Sequence, residues 1–272
     1  MMRAAVLGSP IAHSLSPVIH QRAYDVLGWD WSYSKCEVAS GQLMTFLSER
    51  SSEFRGLSLT MPLKEEALAL LDSVTELGKR VYAVNTIVFD DLGSHGFNTD
   101  VQGFRDALKY RNVAIPEEVA VLGGGATARS AIAAVDDFAK RIIVYSRSEH
   151  RTRALVNSAE HAIVTVRPWE EVGAAMENEL IISTTPKGAT DGIAINDVNR
   201  VHGTLFESLY HPWPTRLLQK WQEESGNYLD GLDLLVWQAI GQLEVMSFNP
   251  SEIVDRRGDL FVTMREAALA HI

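Results

Sequence analysis

The sequence is nearly devoid of cysteine: Cys36 stands alone among 272 residues. An intramolecular disulfide is therefore impossible, and no Cys/His spacing of the kind that holds a metal occurs. Long apolar runs are also missing. None approaches the ~20 residues that cross a bilayer, and the apolar start is broken by Gly8 and Pro10, which makes it too short for a secretion signal. Positive charge is in deficit, with 25 Lys and Arg against 35 Asp and Glu, a net charge of −10. That balance repels phosphate backbones and anionic lipid, so neither nucleic acid nor a membrane is an expected partner. A small anion can still bind through local cations. There is no internal repeat, low-complexity tract or charge block. Together these absences lead to the expectation of a soluble protein of the reduced cytoplasm; a monomer or homodimer is expected, with the sequence not choosing between them.

What is present is ordinary globular material, 46% hydrophobic and 22% charged, in a length that allows one large or two modest domains. Strand and helix patterns alternate throughout, which argues for α/β layers. Strands are expected at Arg3–Leu7, Trp31–Glu37 and Gly56–Thr60. Asn85–Phe89 and Gly96–Phe97 flank a hairpin turn at Asp91–Gly93. Ser16-Pro17 reads as an N-cap followed by a first helical proline, with the helix stopping at Gly28. Pro62 opens a helix through Lys64–Leu71, and Asp100 opens another through Tyr110. Further strands are expected at Val119–Leu122, Arg141–Tyr145, Ile163–Val166, Leu180–Ser183 and Gly203–Phe206. Helix patterns follow at Leu232–Phe248 and Gly258–Ala270.

The most specific local signal is Val119–Ala128, a short apolar strand running into Gly123-x-Gly125-x-x-Ala128. In a strand–turn–helix unit such glycines let the backbone and the helix N-terminus hold a pyrophosphate. Gly123, Gly124, Gly125, Ala126 and Thr127 are the candidate cradle. The residue ending the second strand of such a unit reads the ribose, an acid for NAD and an arginine for NADP. Here the strand end is Ser146 followed by Arg147, with Arg151 one helical turn on and no acid at the strand end. The expected cofactor is therefore NADP, although Glu149 lies nearby.

Upstream, His13-Ser-Leu-Ser-Pro17, Ser58–Lys64, Asn85-Thr86 and Asn98-Thr-Asp100 set short polar side chains at strand-to-helix corners, where open α/β sheets bind ligands. Such groups suit a polyhydroxylated small molecule. Helix capping also accounts for Ser16, Thr60 and Asp100 without any ligand. Lys64 resists that account, because a cation in the first turn of a helix opposes the macrodipole. A lysine there implies something polar or negative opposite it. With Asp100 it would form a pair able to protonate a carbonyl oxygen as hydride arrives at the carbon.

The order HSLSP, LTMPLK, AVNT, NTD and the glycine turn resembles the shikimate/quinate dehydrogenase family. The resemblance continues through Ile182–Gly188, Tyr210–Thr215 and Gly231–Gln238 and spans nearly the whole chain. It implies NADP-dependent, reversible reduction of 3-dehydroshikimate to shikimate, with Lys64 and Asp100 as the catalytic pair. It assigns Ser14 and Ser16 to the substrate carboxylate, Thr60 and Asn85 to the ring substituents, and Tyr210 and Gln238 to closure over the substrate. Gly123–Thr127, Ser146, Arg147, Thr184, Gly231 and Leu234 fall to the cofactor. Departures are Ser58 and Ser146 where many members have Asn, Leu234 for Met, Glu207 for Asp and Ala126 for Gly. Its siblings act on quinate or an aminated analogue, some with NAD, and a non-catalytic relative is a further alternative. The implied architecture is a substrate domain over 1–101 plus 239–272 and a Rossmann-type NADP domain over 102–238, with a cleft between them.

Overall fold

The structure is a computed structural model and describes residues 1–193, 201 and 203–272. In chain order the first stretch comprises β1 (Met2–Gly8), α1 (Ser16–Leu27), β2 (Trp31–Glu37), α2 (Leu43–Arg50), β3 (Gly56–Leu59), α3 (Leu63–Glu66), β4 (Ser73–Val74), α4 (Glu76–Arg80), β5 (Thr86–Asp90) and β6 (Gly93–Phe97). It continues with α5 (Asp100–Tyr110), β7 (Glu118–Leu122), α6 (Ala126–Val135), β8 (Arg141–Ser146), α7 (Thr152–Val156), β9 (Ile163–Pro168), β10 (Leu180–Ser183), β11 (Thr204–Glu207), α8 (Arg216–Glu223) and β12 (Asn227–Leu229). The chain ends with α9 (Gly231–Met246), α10 (Pro250–Asp255) and α11 (Arg257–Leu269).

Two compact units result, Met1–Thr99 with Leu235–Ile272, and Asp100–Leu234. These limits differ by a few residues from those the sequence suggests. Asp100 opens α5 and belongs with the second unit, while Gln238 belongs with the first. α5 starts at Asp100, and the boundary within α9 falls between Leu234 and Leu235.

The first unit is built on a six-stranded sheet of order β2-β1-β3-β5-β6-β4. β1 runs parallel to β2 and β3, and the β5–β6 hairpin is antiparallel. The central strands are buried on both faces and read as apolar runs (Ala5, Leu7, Leu57, Leu59), packed with Leu43, Phe54, Leu63 and Ile87. α11 lies along α1, and Trp237 of α9 stacks on Phe261 at 4.7 Å. The C-terminal helices thus close this unit's core.

The second unit carries a six-stranded, all-parallel sheet of order β12-β11-β10-β7-β8-β9. From β7 outward the chain steps one way through β8 and β9, then back across to β10, β11 and β12. That is the dinucleotide-fold order, with its reversal between β7 and β10. Its core gathers Leu122, Ile181, Leu205, Leu217 and Trp221. Among the described residues, no helix is long and apolar enough to cross a membrane.

Two local expectations are corrected. Ser16 is the first residue of α1 and not its cap; Leu15 occupies the cap position, without a side-chain bond. The helix expected over 64–71 is one turn long, and a 3-10 turn at Ala67–Ala69 follows it. β6 begins at Gly93, three residues before the expected Gly96, and β4 and β12 are strands the pattern did not show, whereas α5 runs from Asp100 to Tyr110 as expected.

Candidate active site

In the first unit the candidate residues gather at the C-terminal ends of β1 and β3. Thr60 N–H donates to the Leu7 carbonyl at 2.9 Å and Ser9 N–H to the Met61 carbonyl at 3.0 Å. Ser14 and Ser16 follow at the start of α1. Both are buried, and the Ser16 N–H donates to Ser14 Oγ at 3.3 Å. The Lys64 carbonyl accepts from Val84 N–H at 2.8 Å. That bond holds the lysine corner beside Asn85.

Asn85 is the hub. Its backbone bridges two strands, since its carbonyl accepts from Leu59 N–H and its N–H donates to the Phe97 carbonyl. Its side-chain Oδ1 accepts from Thr99 N–H at 2.8 Å and Thr86 Oγ1 at 2.9 Å. Its Nδ2 donates to Thr99 Oγ1 at 2.9 Å and Gln238 Oε1 at 3.4 Å. The amide orientation is therefore fixed by two donors on the oxygen side and two acceptors on the nitrogen side. Gln242, one helical turn beyond Gln238, donates to the Asn85 carbonyl and to Thr86 Oγ1, and its Oε1 accepts from Ser58 Oγ at 2.9 Å. Ser58 Oγ in turn accepts from Tyr33 Oη at 2.6 Å.

The chain of bonds continues to α1. His20 stacks on Tyr33 with centroids 4.0 Å apart, and its Nδ1–H donates to the Ser16 carbonyl at 2.9 Å. Full burial pushes the His20 pKa down to about 4, so the ring is neutral at physiological pH. A buried network in which each of these amides and hydroxyls is bonded to the next holds polar groups rigidly.

Ser14, Ser16, Thr60, Asn85 and Gln238 thus belong to one unit, with Lys64 beside them. Residues the sequence reading left out are His20, Tyr33 and Gln242; Thr86 and Thr99 lay within its polar corners without an assigned role. Gln242 had a signal, four residues beyond Gln238 on the same helical face. Tyr33 had none, because its role depends on which face of β2 packs against α1. The macrodipole argument for Lys64 loses its force. In a helix of one turn the first turn is also the last, and the lysine has no favoured end.

In the second unit the glycine turn follows β7 at the point where strand order reverses. Gly123 has φ +116°, and a Cβ there would meet Thr184 Oγ1 at 2.6 Å. A Cβ on Gly124 would meet Ser146 Oγ at 2.4 Å. Thr184 itself is fixed by donating to the Leu122 carbonyl at 2.8 Å. Gly125 occupies the cap of α6 in extended backbone, and no side chain caps the helix. The N–H groups of Ala126 and Thr127 thus start a helix whose positive end is left to a ligand. Glycines pressed against side chains, with an uncapped helix behind them, fit a pyrophosphate. Ser146 is buried and accepts from Ser148 N–H at 3.2 Å. Arg147 is exposed. Arg151, absent from the candidate residues, reaches back to donate to the Gly124 carbonyl at 3.4 Å. The Arg151 guanidinium therefore borders the turn, a group suited to a phosphate, while Arg147 stands exposed just after the end of β8.

Also in this unit, Asp100 is buried at the first position of α5. Tyr210 is half-buried in the loop after β11. Gly231 starts α9, and Leu234 is buried one turn later.

The family model described as the shikimate dehydrogenase substrate binding domain matches residues 6–87. A shikimate dehydrogenase (NADP(+)) of Thermus thermophilus is 36% identical over 241 residues, which cover 88% of this chain and 89% of that protein. The crystal structure of Mycobacterium tuberculosis shikimate dehydrogenase matches with a TM-score of 0.85 and 31% identity over 100% of both chains. The crystal structure of a Thermus thermophilus shikimate 5-dehydrogenase, in complex with NADP(H) and shikimate, matches with a TM-score of 0.83 and 32% identity, again over 100% of both chains. With a buried amide network in one unit and a dinucleotide turn in the other, and with this identity along nearly its whole length, the chain belongs to the shikimate dehydrogenase family.

Proposed function

We propose that this chain catalyses the reversible, NADP-dependent reduction of 3-dehydroshikimate to shikimate in aromatic amino-acid biosynthesis. The observation that carries the reading is the presence, in one chain of this family, of both the Asn85-centred polar network and the Gly123–Thr127 cradle. NADPH, when bound, supplies the hydride that reduces the ring carbonyl. Gly123 to Thr127 would hold its pyrophosphate, Thr184, Gly231 and Leu234 would serve its nicotinamide end, and Ser146, Arg147 and Arg151 its ribose phosphate. Ser14 and Ser16 hold the substrate carboxylate through their hydroxyls. Thr60, Asn85 and Gln238 bond the ring substituents, and Tyr210 closes over them. As the carbonyl carbon gains hydride, its oxygen gains negative charge and takes a proton from the Lys64 ammonium, with Asp100 as the carboxylate of that acid–base pair. In the oxidative direction the same proton returns to the lysine.

The site of action in this reading is the reduced cytoplasm, and the state a monomer or homodimer. A single cysteine, with no second one to pair with in the chain, supports the reducing compartment.

The test is a kinetic panel of shikimate and quinate against NADP⁺ and NAD⁺. Shikimate with NADP⁺ is expected to have the highest kcat/KM. A higher value for quinate would move the chain to a sibling activity, and no turnover in any arm would make it a non-catalytic relative.

A further inference from the structure

β11 ends in Glu207, a carboxyl group only 1% exposed. Two groups from the loop that follows donate to it. Leu209 N–H donates to Oε1 at 3.1 Å, and Thr215 Oγ1 donates to Oε2 at 3.1 Å. Thr215 also caps α8, where its Oγ1 accepts from Leu218 N–H at 3.1 Å. The hydroxyl proton is therefore left to serve the carboxylate. One carboxyl group thus joins the start of the Ser208–Thr215 loop to its end, and Tyr210 lies between them. The same stretch is pressed from its other side by α9. A Cβ at Gly231 would fall 2.5 Å from the Leu209 carbonyl carbon and 2.6 Å from the Tyr210 nitrogen.

We propose that Glu207 is a positioning residue for the known reaction of this family, a clamp that fixes the Tyr210 loop in the geometry that receives substrate. The inference rests on the assignment of Tyr210 as a substrate contact. The chemistry of the clamp explains the residue type. Both loop ends present donors, and only a carboxylate accepts on both oxygens; an amide would set its NH₂ against one of them. The cost of this arrangement is desolvation. Burial pushes the Glu207 pKa up to about 7, with the bonds from Leu209, Thr215, Ser183 and Ser208 opposing that rise. Tyr210 and His211 on the loop, Lys187 after β10, Arg216 on α8, Tyr228 on β12 and Asp230 before α9 are among the titratable groups of the surrounding elements. Protonation replaces an acceptor with a donor and loosens the clamp, so the loop responds to pH near neutrality.

The experiment measures KM for shikimate and for NADP⁺ separately across about pH 6 to 8 in wild type, Glu207→Gln and Glu207→Asp. Loss of one hydrogen bond to a charged group predicts a roughly tenfold rise in the shikimate KM of Glu207→Gln at high pH, with no further rise on acidification. Wild type reaches that raised value only at low pH, and the NADP⁺ KM moves little in either protein. Glu207→Asp keeps a carboxylate and regains the pH-dependent limb. A Glu207→Gln enzyme with the wild-type shikimate KM and pH profile overturns the proposal, as does an equal rise in both KM values.

A second measurement needs no substrate. Trp213 emission, isolated as the difference between the protein and its Trp213→Phe variant, should titrate near pH 7 with Glu207 present and not with Gln in its place. Absence of that titration removes the clamp. Its presence in a protein that never oxidises shikimate keeps the clamp and sinks the functional reading instead. Should Glu207→Gln fail to fold, Thr215→Val removes one of the two donors and is expected to raise the shikimate KM by itself; an unchanged KM counts against the clamp.

Discussion

The two units hold polar chemistry by opposite means. The second relies on backbone: Gly123 and Gly124 have no side chain because Thr184 and Ser146 occupy that space, and an uncapped helix supplies N–H groups. The first relies on side chains, with Asn85, Gln238, Gln242, Ser58 and Tyr33 each bonded to another. Backbone recognition needs only bare glycines at the right turn. Side-chain recognition needs each amide oriented by its neighbours, so one substitution disturbs several groups.

The largest expected effect lies at Lys64. Lys64→Ala should lower kcat by about 10²–10⁴-fold, the range for a positioned proton donor, with the melting temperature nearly unchanged. Stopped-flow hydride transfer checks this; near-normal turnover would remove the lysine from the chemistry.

Next comes a divergence with pH. His20 is neutral when folded, with a pKa lowered from 6.5 to about 4. Its unfolded form takes a proton first, so the stability it contributes is whole above pH 6.5 and falls as pH drops toward 4. Glu207 runs the other way. Its pKa is raised from 4.5 to about 7, so its contribution is whole below pH 4.5 and falls as pH rises through 7. Each effect has a ceiling near ~3 kcal/mol. Hydrogen exchange should therefore show α1 losing protection in acid between pH 6.5 and 4, an effect that His20→Phe reduces. If β11 loses protection in the same direction as α1, the contrast between the units fails.

A smaller effect tests the packing of the cradle. Gly124→Ala places a methyl against Ser146 Oγ, and should raise the KM for NADP⁺ without moving that for shikimate. Ser146→Ala in the same chain removes the 2.4 Å contact and should restore part of the loss. A strain of ~1–3 kcal/mol corresponds to a change of about fivefold to 150-fold. Equal KM values with and without the second change would mean that the turn simply shifts.

The smallest effect separates the cofactors. Arg147→Ala and Arg151→Ala should each weaken NADP⁺ about tenfold, the value of one charged hydrogen bond, and leave NAD⁺ nearly untouched. Isothermal titration with both cofactors decides it, and parallel losses would mean that neither arginine reads the phosphate.

The contrast also explains what was legible beforehand. The glycine turn, the hairpin at Asp91–Gly93 and the start of α5 at Asp100 were readable because each is a local rule, glycine for tight backbone or an acid at a helix start. The Ser14, Ser16 and Asn85 corners were readable as polar groups after strands. Their interlocking was not. Tyr33 and Thr99 join the network only because β2, β6 and α9 bring them within hydrogen-bond reach of Ser58 and Asn85. Lys64 was singled out by a helix argument that a one-turn helix cannot carry, although family resemblance named the same residue. Arg151 was seen in the sequence, but only folding brings its guanidinium back to Gly124.

By itself the sequence determined the alternation of strands and helices, the place of the dinucleotide turn and the residue types available to a substrate, because periodicity, glycine and short polar side chains act over a few residues. Tertiary structure alone decided which amide faces which hydroxyl, why His20 stays neutral, and how a glutamate at the end of β11 holds both ends of one loop. Those outcomes depend on burial and on distances between groups far apart in the chain, and no local pattern encodes them.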